Sequence, residues 1–377
     1  MKRTAITMLV IMALGALILP ACKGGAKPAS GLKVYEVGKD AVQLTLLEQG
    51  SDCLSYWLKN KDKDRVLVRF SGFDGLAPVS DVAMKAIKGA ADKGDFDALK
   101  QMGDALKDNS LYASDNAVYL AHRLGIIREV YWVVPTFGSF TQEDLDAFKE
   151  SLKKSYPSQA AEIDALKLDG KMAGGSINGV PVKIVGLQDM KGPGEPVLLD
   201  TDVSYLASLY AGEKETRVLP LFEGFFRLVR DAGIKSDQVS LTASNSDGKV
   251  PVKFRFAVKY LTTLYGYPNM VDGEPPSLWS QRSEAWRVEQ KNPKLSIPLY
   301  ESITKQFPDD AASHYDLSAV YFGQGDLVGC KRELAEAIRY DKGYAAGYIE
   351  FAKRLAASGK GGAAKEFVDL AIVSRTS

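Results

Sequence analysis

The stretch that most constrains how this chain can fold is Pro196-Val197-Leu198-Leu199-Asp200-Thr201-Asp202-Val203-Ser204-Tyr205-Leu206, an apolar run that ends in two carboxylates. A continuous apolar run of this kind predicts a parallel strand buried on both faces. Alternation along a strand points residues i and i+2 to the same side, so Asp200 and Asp202 can converge on one point at the carboxyl edge of a sheet. Open α/β sheets bind ligands at that edge. In the alternative reading, Asp202 caps the helix that begins near Val203 and Asp200 is a solvated strand end.

The flanking sequence supplies the neighbours such a strand needs. Strand-like patterns occur at Leu32–Val37, Val42–Leu47, Arg65–Phe70, Glu129–Pro135 and Gln238–Ala243. Helical spacing occupies Cys53–Leu58, Asp81–Asp108 with a break at Lys93-Gly94-Asp95, Asp115–Leu124, Gln142–Ser155, Ser158–Leu166, Leu219–Ala232 and Val252–Leu264. The alternation of strand and helix is a βαβ rhythm and predicts an α/β fold with a mostly parallel sheet in three layers. Asn178-Gly179 between two strand-like runs predicts a hairpin with a type I′ turn. The glycine-rich segment Gly170–Val180 lacks the Gly-Lys-Ser/Thr ending and the helix that a phosphate loop requires, so it is assigned to that hairpin.

Composition excludes several function classes. With 48 basic and 47 acidic residues the chain has no electrostatic footprint for nucleic acid. It has only two histidines, His122 and His314, which limits any mechanism built on imidazole. Of three cysteines, Cys53 and Cys330 lie far apart in sequence without a CxxC pattern, so buried free thiols are expected.

Residues 1–21 carry Lys2, Arg3 and an apolar run from Ala5 to Leu19, the pattern of an export signal. Leu19-Pro20-Ala21-Cys22 resembles the lipobox of bacterial lipoproteins, with Pro20 a departure from its usual composition. The resemblance implies that Cys22 becomes the lipidated first residue and anchors the protein to a membrane. Residues 22–31 have the composition of a flexible tether. Lys23 after the cysteine implies sorting to the outer membrane, facing the periplasm of a bacterial cell envelope.

The Gly- and Pro-rich segment from Gly266 to Pro276 reads as a boundary. The expected division is therefore an α/β domain over 32–265, a linker over 266–277 and an all-α module over 278–377. In that last part, His314–Lys342 resembles a tetratricopeptide repeat. Tyr348–Ile372 aligns with it at a shift of 34, placing Leu317 with Phe351, Gly325 with Gly359, Cys330 with Ala364 and Ala337 with Ala371. Leu295–Phe307 looks like the second helix of an incomplete earlier unit. The resemblance implies a surface that takes a protein or peptide partner; the alternative is that the repeats only dock on the preceding domain.

Three segments of the first domain resemble the arginase/deacetylase superfamily, in its arginase-like branch. They are Cys53–Leu76, Asp115–Pro135 and Val197–Leu206, with Leu241–Pro251 similar to that branch's late strand and loop. The resemblance places Asp200 and Asp202 on the family's Asp-x-Asp metal-ligand pair. It also places Ser71, Phe73 and Gly75 where the other motif has its aspartate, histidine and aspartate, while Asp74 fills a position that is not a ligand. Two carboxylates without an imidazole do not make the dinuclear hydroxide-generating site of that family. No cofactor is expected; a single Mg²⁺ or Ca²⁺ on Asp200 and Asp202 is the alternative that such ligands allow. The expected function is a noncatalytic, lipid-anchored envelope protein that binds a partner. The alternatives are a metal-dependent hydrolase of a guanidino or amide C–N bond and a purely structural lipoprotein.

Overall fold

The computed structural model describes residues 33–58, 64–136, 138–212 and 217–376. The signal segment, Cys22 and the tether lie outside the described residues. Val34–Ser377 forms one compact unit.

Among the described residues nine strands form a single mixed sheet. They are β1 (Tyr35–Glu36), β2 (Thr45–Leu47), β3 (Arg65–Phe70), β4 (Ile127–Val134), β5 (Lys167–Asp169), β6 (Met172–Ile177), β7 (Val180–Gly186), β8 (Val197–Asp202) and β9 (Lys235–Thr242). Their order is β1-β9-β8-β3-β4-β7-β6-β5, and β2 also pairs with β9. The stretch from β2 through β9, β8, β3 and β4 to β7 is parallel, while β1, β6 and β5 add antiparallel edges. The β6–β7 hairpin turns through Asn178 and Gly179 at φ 54° and 74°, the two positive angles that a type I′ turn requires.

Both faces of the central strands are covered. In β3 and β8 every residue is buried. Leu67, Val130, Trp132, Ile184 and Leu198 pack against one helical layer: α1 (Asp52–Trp57), α2 (Asp81–Lys93), α3 (Phe96–Met102), α4 (Ala117–Arg123), α5 (Gln142–Ser155) and α6 (Ala160–Asp164). Val66, Val68, Phe70, Leu199 and Val239 pack against α7 (Val203–Gly212), α8 (Val218–Asp231) and α9 (Phe256–Gly266). The chain leaves β3 for β4 through helices of the first layer and leaves β8 for β9 through helices of the second. The boundary between β8 and β3 is therefore the point where the direction of strand addition reverses.

Among the described residues six helices follow: α10 (Ser277–Lys291), α11 (Pro293–Gln306), α12 (Ala311–Gly323), α13 (Leu327–Tyr340), α14 (Ala346–Ala357) and α15 (Gly361–Thr376). The α12–α13 pair recurs as α14–α15, with Gly323 and Ala357, the two ends of corresponding helices, 34 residues apart. Aspartates open the turns: Asp310 accepts from the Ser313 N–H at 2.9 Å and Asp326 from the Gly329 N–H at 2.9 Å.

The segment expected as a linker, 266–277, holds a 3-10 turn with buried Pro268 and Val271, and Asp272 receives Arg230 at 2.5 Å. The apolar core runs across it. Trp279 stacks on Tyr260 with centroids 4.1 Å apart, and Trp286 meets Phe254 and Phe256 at 5.5 and 5.1 Å. A chain ending at Gly273 would leave Phe254, Phe256 and Tyr260 without their indole partners. It is expected to be insoluble or to unfold without a cooperative transition. Trp286→Ala in the full chain should cost about 3–5 kcal/mol in urea unfolding. A soluble truncated chain with cooperative melting would show instead that the sheet and its helices stand alone.

Candidate functional site

Asp200 and Asp202 lie side by side at the carboxyl end of β8, both wholly buried and on the same face of the sheet. Their neighbours on β9 follow from register: Asp200 pairs with Ser240 and Asp202 with Thr242. On the other side, Arg69 of β3 pairs with Asp200. Period-two alternation thus sets Arg69, the two aspartates and the hydroxyls of Ser240, Thr242 and Ser244 on one face, just beyond the apolar pair Leu67 and Leu198.

The two carboxylates have different environments. Oδ1 of Asp200 accepts from Ser240 Oγ at 2.7 Å and Thr242 Oγ1 at 3.0 Å, with the Cys53 thiol donating more weakly at 3.7 Å. Oδ2 of Asp200 lies 3.3 Å from Arg69 Nε, an ion pair with no exposure on either side. Asp202 takes the capping role: Oδ1 accepts from the Ser204 N–H at 2.7 Å at the start of α7, and Oδ2 accepts from Ser244 Oγ at 2.7 Å. Asp200 is not a solvated strand end. Burial pushes the Asp202 carboxyl up to about 6; Arg69 opposes that rise and the charge of Asp200 adds to it. Burial, and then the charge of Asp200, likewise push the Cys53 thiol well above its ordinary range, so it is a structural hydrogen-bonding group.

The loop after β3 is wrapped around the Arg69 guanidinium. Nη1 of Arg69 donates to the Asp74 carbonyl at 3.4 Å, and the guanidinium lies 4.9 Å from the centre of the Phe73 ring. Gly75 is required twice over: its φ is +73°, and a Cβ there would come within 2.4 Å of Arg69 Nη1. The buried Ser71 hydroxyl accepts from the Phe73 N–H at 3.2 Å, and the Asp74 carboxylate accepts from Leu76 N–H at 2.7 Å and Tyr156 O–H at 2.6 Å. His122 lies outside this cluster; its Nδ1 is 3.2 Å from the Ile127 carbonyl oxygen.

These residues do not fit the dinuclear metal centre that the sequence resemblance implies. One oxygen of Asp200 is taken by two hydroxyls, the other faces a guanidinium, and both oxygens of Asp202 are engaged in holding the backbone and Ser244. The donor set lacks imidazole, and a cation already lies against Asp200. Asp200 Oδ2 accepts no hydrogen bond, and the nearest cation to it is the Arg69 guanidinium. Among the described residues no group of three or more His, Cys, Asp or Glu side chains is arranged to hold a metal ion.

Asp202 also holds the loop beyond β9. Ser244, its partner, adopts φ +53°, an unusual conformation for a residue with a Cβ. Beyond it Asn245 Nδ2 donates to the carbonyls of Val250 and Pro251, Ser114 donates to Asp247 at 2.5 Å, and Lys249 donates to both oxygens of Asp115 at 2.6 Å. Strain held by this many bonds is typical of loops whose shape matters.

The residues missed in reading the sequence are Arg69 and the hydroxyl ladder. Each carried a signal: an arginine inside an otherwise apolar strand at Arg65–Phe70, and hydroxyls at every second position of Ser240-Leu241-Thr242-Ala243-Ser244. No family model, curated protein or solved structure matches the chain.

The raised carboxyl of Asp202 has a definite pH signature. A group held at about 6 in the fold and near 4 when unfolded contributes stability fully present below about pH 4 and lost as pH rises through about 6. Asp202→Asn keeps an acceptor for Ser204 and a donor for Ser244 but cannot ionise. The stability of the natural protein relative to this variant is expected to fall by up to about 3 kcal/mol between pH 4 and 7. Parallel urea-unfolding profiles for the two proteins across that range would contradict the assignment.

Proposed function

We propose that this protein is a noncatalytic, lipid-anchored component of the bacterial cell envelope, built from a degenerate arginase-like domain and tetratricopeptide-like helices that hold a protein or peptide partner. The observation that carries the noncatalytic reading is the Arg69–Asp200 pair: a fixed guanidinium stands against the carboxylate that a metal-dependent hydrolase would use. A buried pair of this kind is broken only at a cost of several kcal/mol, because the partner left behind is an uncompensated buried charge. The Ser71–Gly75 loop, shaped around that guanidinium, supplies no ligand.

The anchoring part rests on Cys22 in its lipobox-like context. Among the described residues no helix is long and apolar enough to cross a membrane. A lipid on Cys22 together with outer-membrane sorting is the localisation that fits Lys23. The tetratricopeptide-like reading is supported by the helix pairs recurring at 34 residues. The partner surface on these helices is an outward one, because α10, α12 and α14 face the chain's own segment: Lys253 pairs with Glu289 at 2.5 Å, Lys259 with Asp310 at 3.4 Å, and Val252 N–H donates to Glu350 at 3.0 Å. On α11, α13 and α15, Leu295, Val328 and Ile372 are exposed.

Two measurements test this reading. Purified mature protein incubated with Mn²⁺ or Zn²⁺ is expected to retain no stoichiometric metal after desalting and to release no urea or ammonia from arginine-containing peptides. Two bound equivalents, with turnover abolished by Asp200→Ala, would establish the hydrolase in its place. In cells, Cys22→Ser is expected to move the protein from the membrane to the soluble fraction, since the mature chain carries no polybasic patch as a second anchor. Unchanged fractionation and processing of that variant would remove the anchor from the proposal.

A further inference from the structure

A cavity of about 410 Å³ opens where β3 and β8 end, between the loop after β3 and the first turns of α7. This is the place where strand addition reverses direction and the two crossover paths diverge to opposite faces, the position at which open α/β sheets form a ligand crevice. Its volume lies in the range of small-molecule sites. Arg69, Asp200 and Asp202 are not part of its lining; the Phe73 ring, which lies 4.9 Å from the Arg69 guanidinium, is the wall residue in contact with that cluster.

The chemistry of the wall is selective. Phe73, Tyr210 and Phe254 present three rings, with Tyr210 and Phe254 meeting edge to face at 5.6 Å between centroids. Lys249 is the charged side chain of the lining, and no carboxylate belongs to it. Its ammonium stands 5.4 Å over the Phe73 ring and is held at the rim by Asp115, which lies outside the lining. An ammonium has three donors; two are given to the Asp115 oxygens, and one remains for a ligand. Ser204 Oγ accepts from the Gly72 N–H at 3.0 Å, which leaves its own proton to donate, and Ser208 stands one helical turn further along the same side.

Gly72 makes this arrangement possible. A Cβ at that position would come within 2.6 Å of Ser208 Oγ and 2.9 Å of the Ser204 carbonyl. Only a glycine lets the loop after β3 lie this close to α7. On the opposite wall, Lys249 and Pro251 belong to the loop that begins at the positive-φ Ser244, so the pose of the cation follows from the Asp202–Ser244 bond.

We propose that this cavity binds a small aromatic carboxylate, its ring held among Phe73, Tyr210 and Phe254 and its carboxylate met by Lys249 and the serine hydroxyls. A ring-lined cavity with donors and a single cation at its rim favours a flat ligand with an anionic end over a neutral or cationic one. This proposal does not rest on the partner-binding role of the helices and stands or falls apart from it.

The test uses the full mature chain and isothermal titration with benzoate and indole-3-acetate as probes, with benzamide and indole-3-acetamide as uncharged counterparts. Saturable binding of the two carboxylates is expected with Kd on the order of 0.1–1 mM, and binding of the amides should be about tenfold weaker or more. Lys249 is exposed, so Lys249→Met will fold; it is expected to remove the preference for the carboxylates. Ala211→Trp, at an exposed helical position on the cavity wall, should block both carboxylates and amides while leaving the unfolding midpoint unchanged. Absence of saturable binding below about 10 mM, equal binding of acids and amides, or binding insensitive to both variants would each overturn the proposal.

Discussion

Two fully buried guanidinium groups set the terms for the rest of this molecule. Each stands against two buried aspartates: Arg69 with Asp200 and Asp202 in the sheet, and Arg282 with Asp310 and Asp316 where the helices meet it. One cation cannot neutralise two carboxylates, and an unpaired charge in the interior is far more expensive than a proton. In each cluster burial pushes one aspartate, Asp202 or Asp316, toward its neutral form. In the second cluster burial would raise both groups. The charges of Arg282 and Lys259, with the Ser313 donors, hold Asp310 down to about 2, whereas Asp316 goes up to about 7. In the first cluster it is Asp202 that rises, although two donors fix its oxygens.

The Asp-x-Asp strand end is tied to the protein's own groups. The two carboxylates share a face, as alternation requires, but each is committed to a different neighbour. Asp200 closes a lateral network across β3, β8 and β9 through Arg69, Ser240 and Thr242. Asp202 works along the chain instead, starting α7 through the Ser204 N–H and holding Ser244 in its positive-φ conformation. The first fastens three adjacent strands; the second fixes the two segments that wall the cavity at the sheet edge. A mutation at Asp202 would thus be felt in the shape of the loop carrying Lys249, several residues away.

Much of this architecture was legible in residue patterns, and the part that was not has a physical reason. Continuous apolar runs located β3, β4 and β8, and the Asn178-Gly179 pair located the hairpin with its turn type, because these signals are local. The roles of Asp200 and Asp202 were not local. Whether a buried carboxylate meets an ion or a guanidinium depends on the residue at the paired position of a neighbouring strand, and Asp200 meets Arg69 only through the β3–β8 register. Arg69 lies 131 positions earlier in the chain, in a strand whose apolar character drew attention away from it. The helical segment packs into one compact unit with the sheet for a related reason. Gly266–Pro276 has the composition of a linker, but its aromatic neighbours on both sides, Tyr260 and Trp279, stack on each other.

The junction between sheet and helices then decides what the helices can offer. Arg255, at the entry to α9, makes two-point contacts with Glu48 beyond β2 and with Asp341 at the end of α13, at 2.7–2.9 Å. Gly343 must be a glycine because a Cβ there would fall 1.7 Å from the Arg255 guanidinium carbon. Paired forks of this kind fix orientation as well as distance. With Phe254 and Phe256 packed on Trp286 beside it, the segment Val252–Tyr260 occupies the side of the helical array on which α10, α12 and α14 lie. An array whose inner side is filled by its own chain cannot take an extended peptide there without giving up that core. Two surfaces lie clear of that filled core: the outer faces of α11, α13 and α15, and the ring-lined cavity where β3 and β8 end. The first suits a folded partner meeting scattered apolar side chains, and the second suits a small molecule. The Asp202–Ser244 bond links only the second to the buried charges.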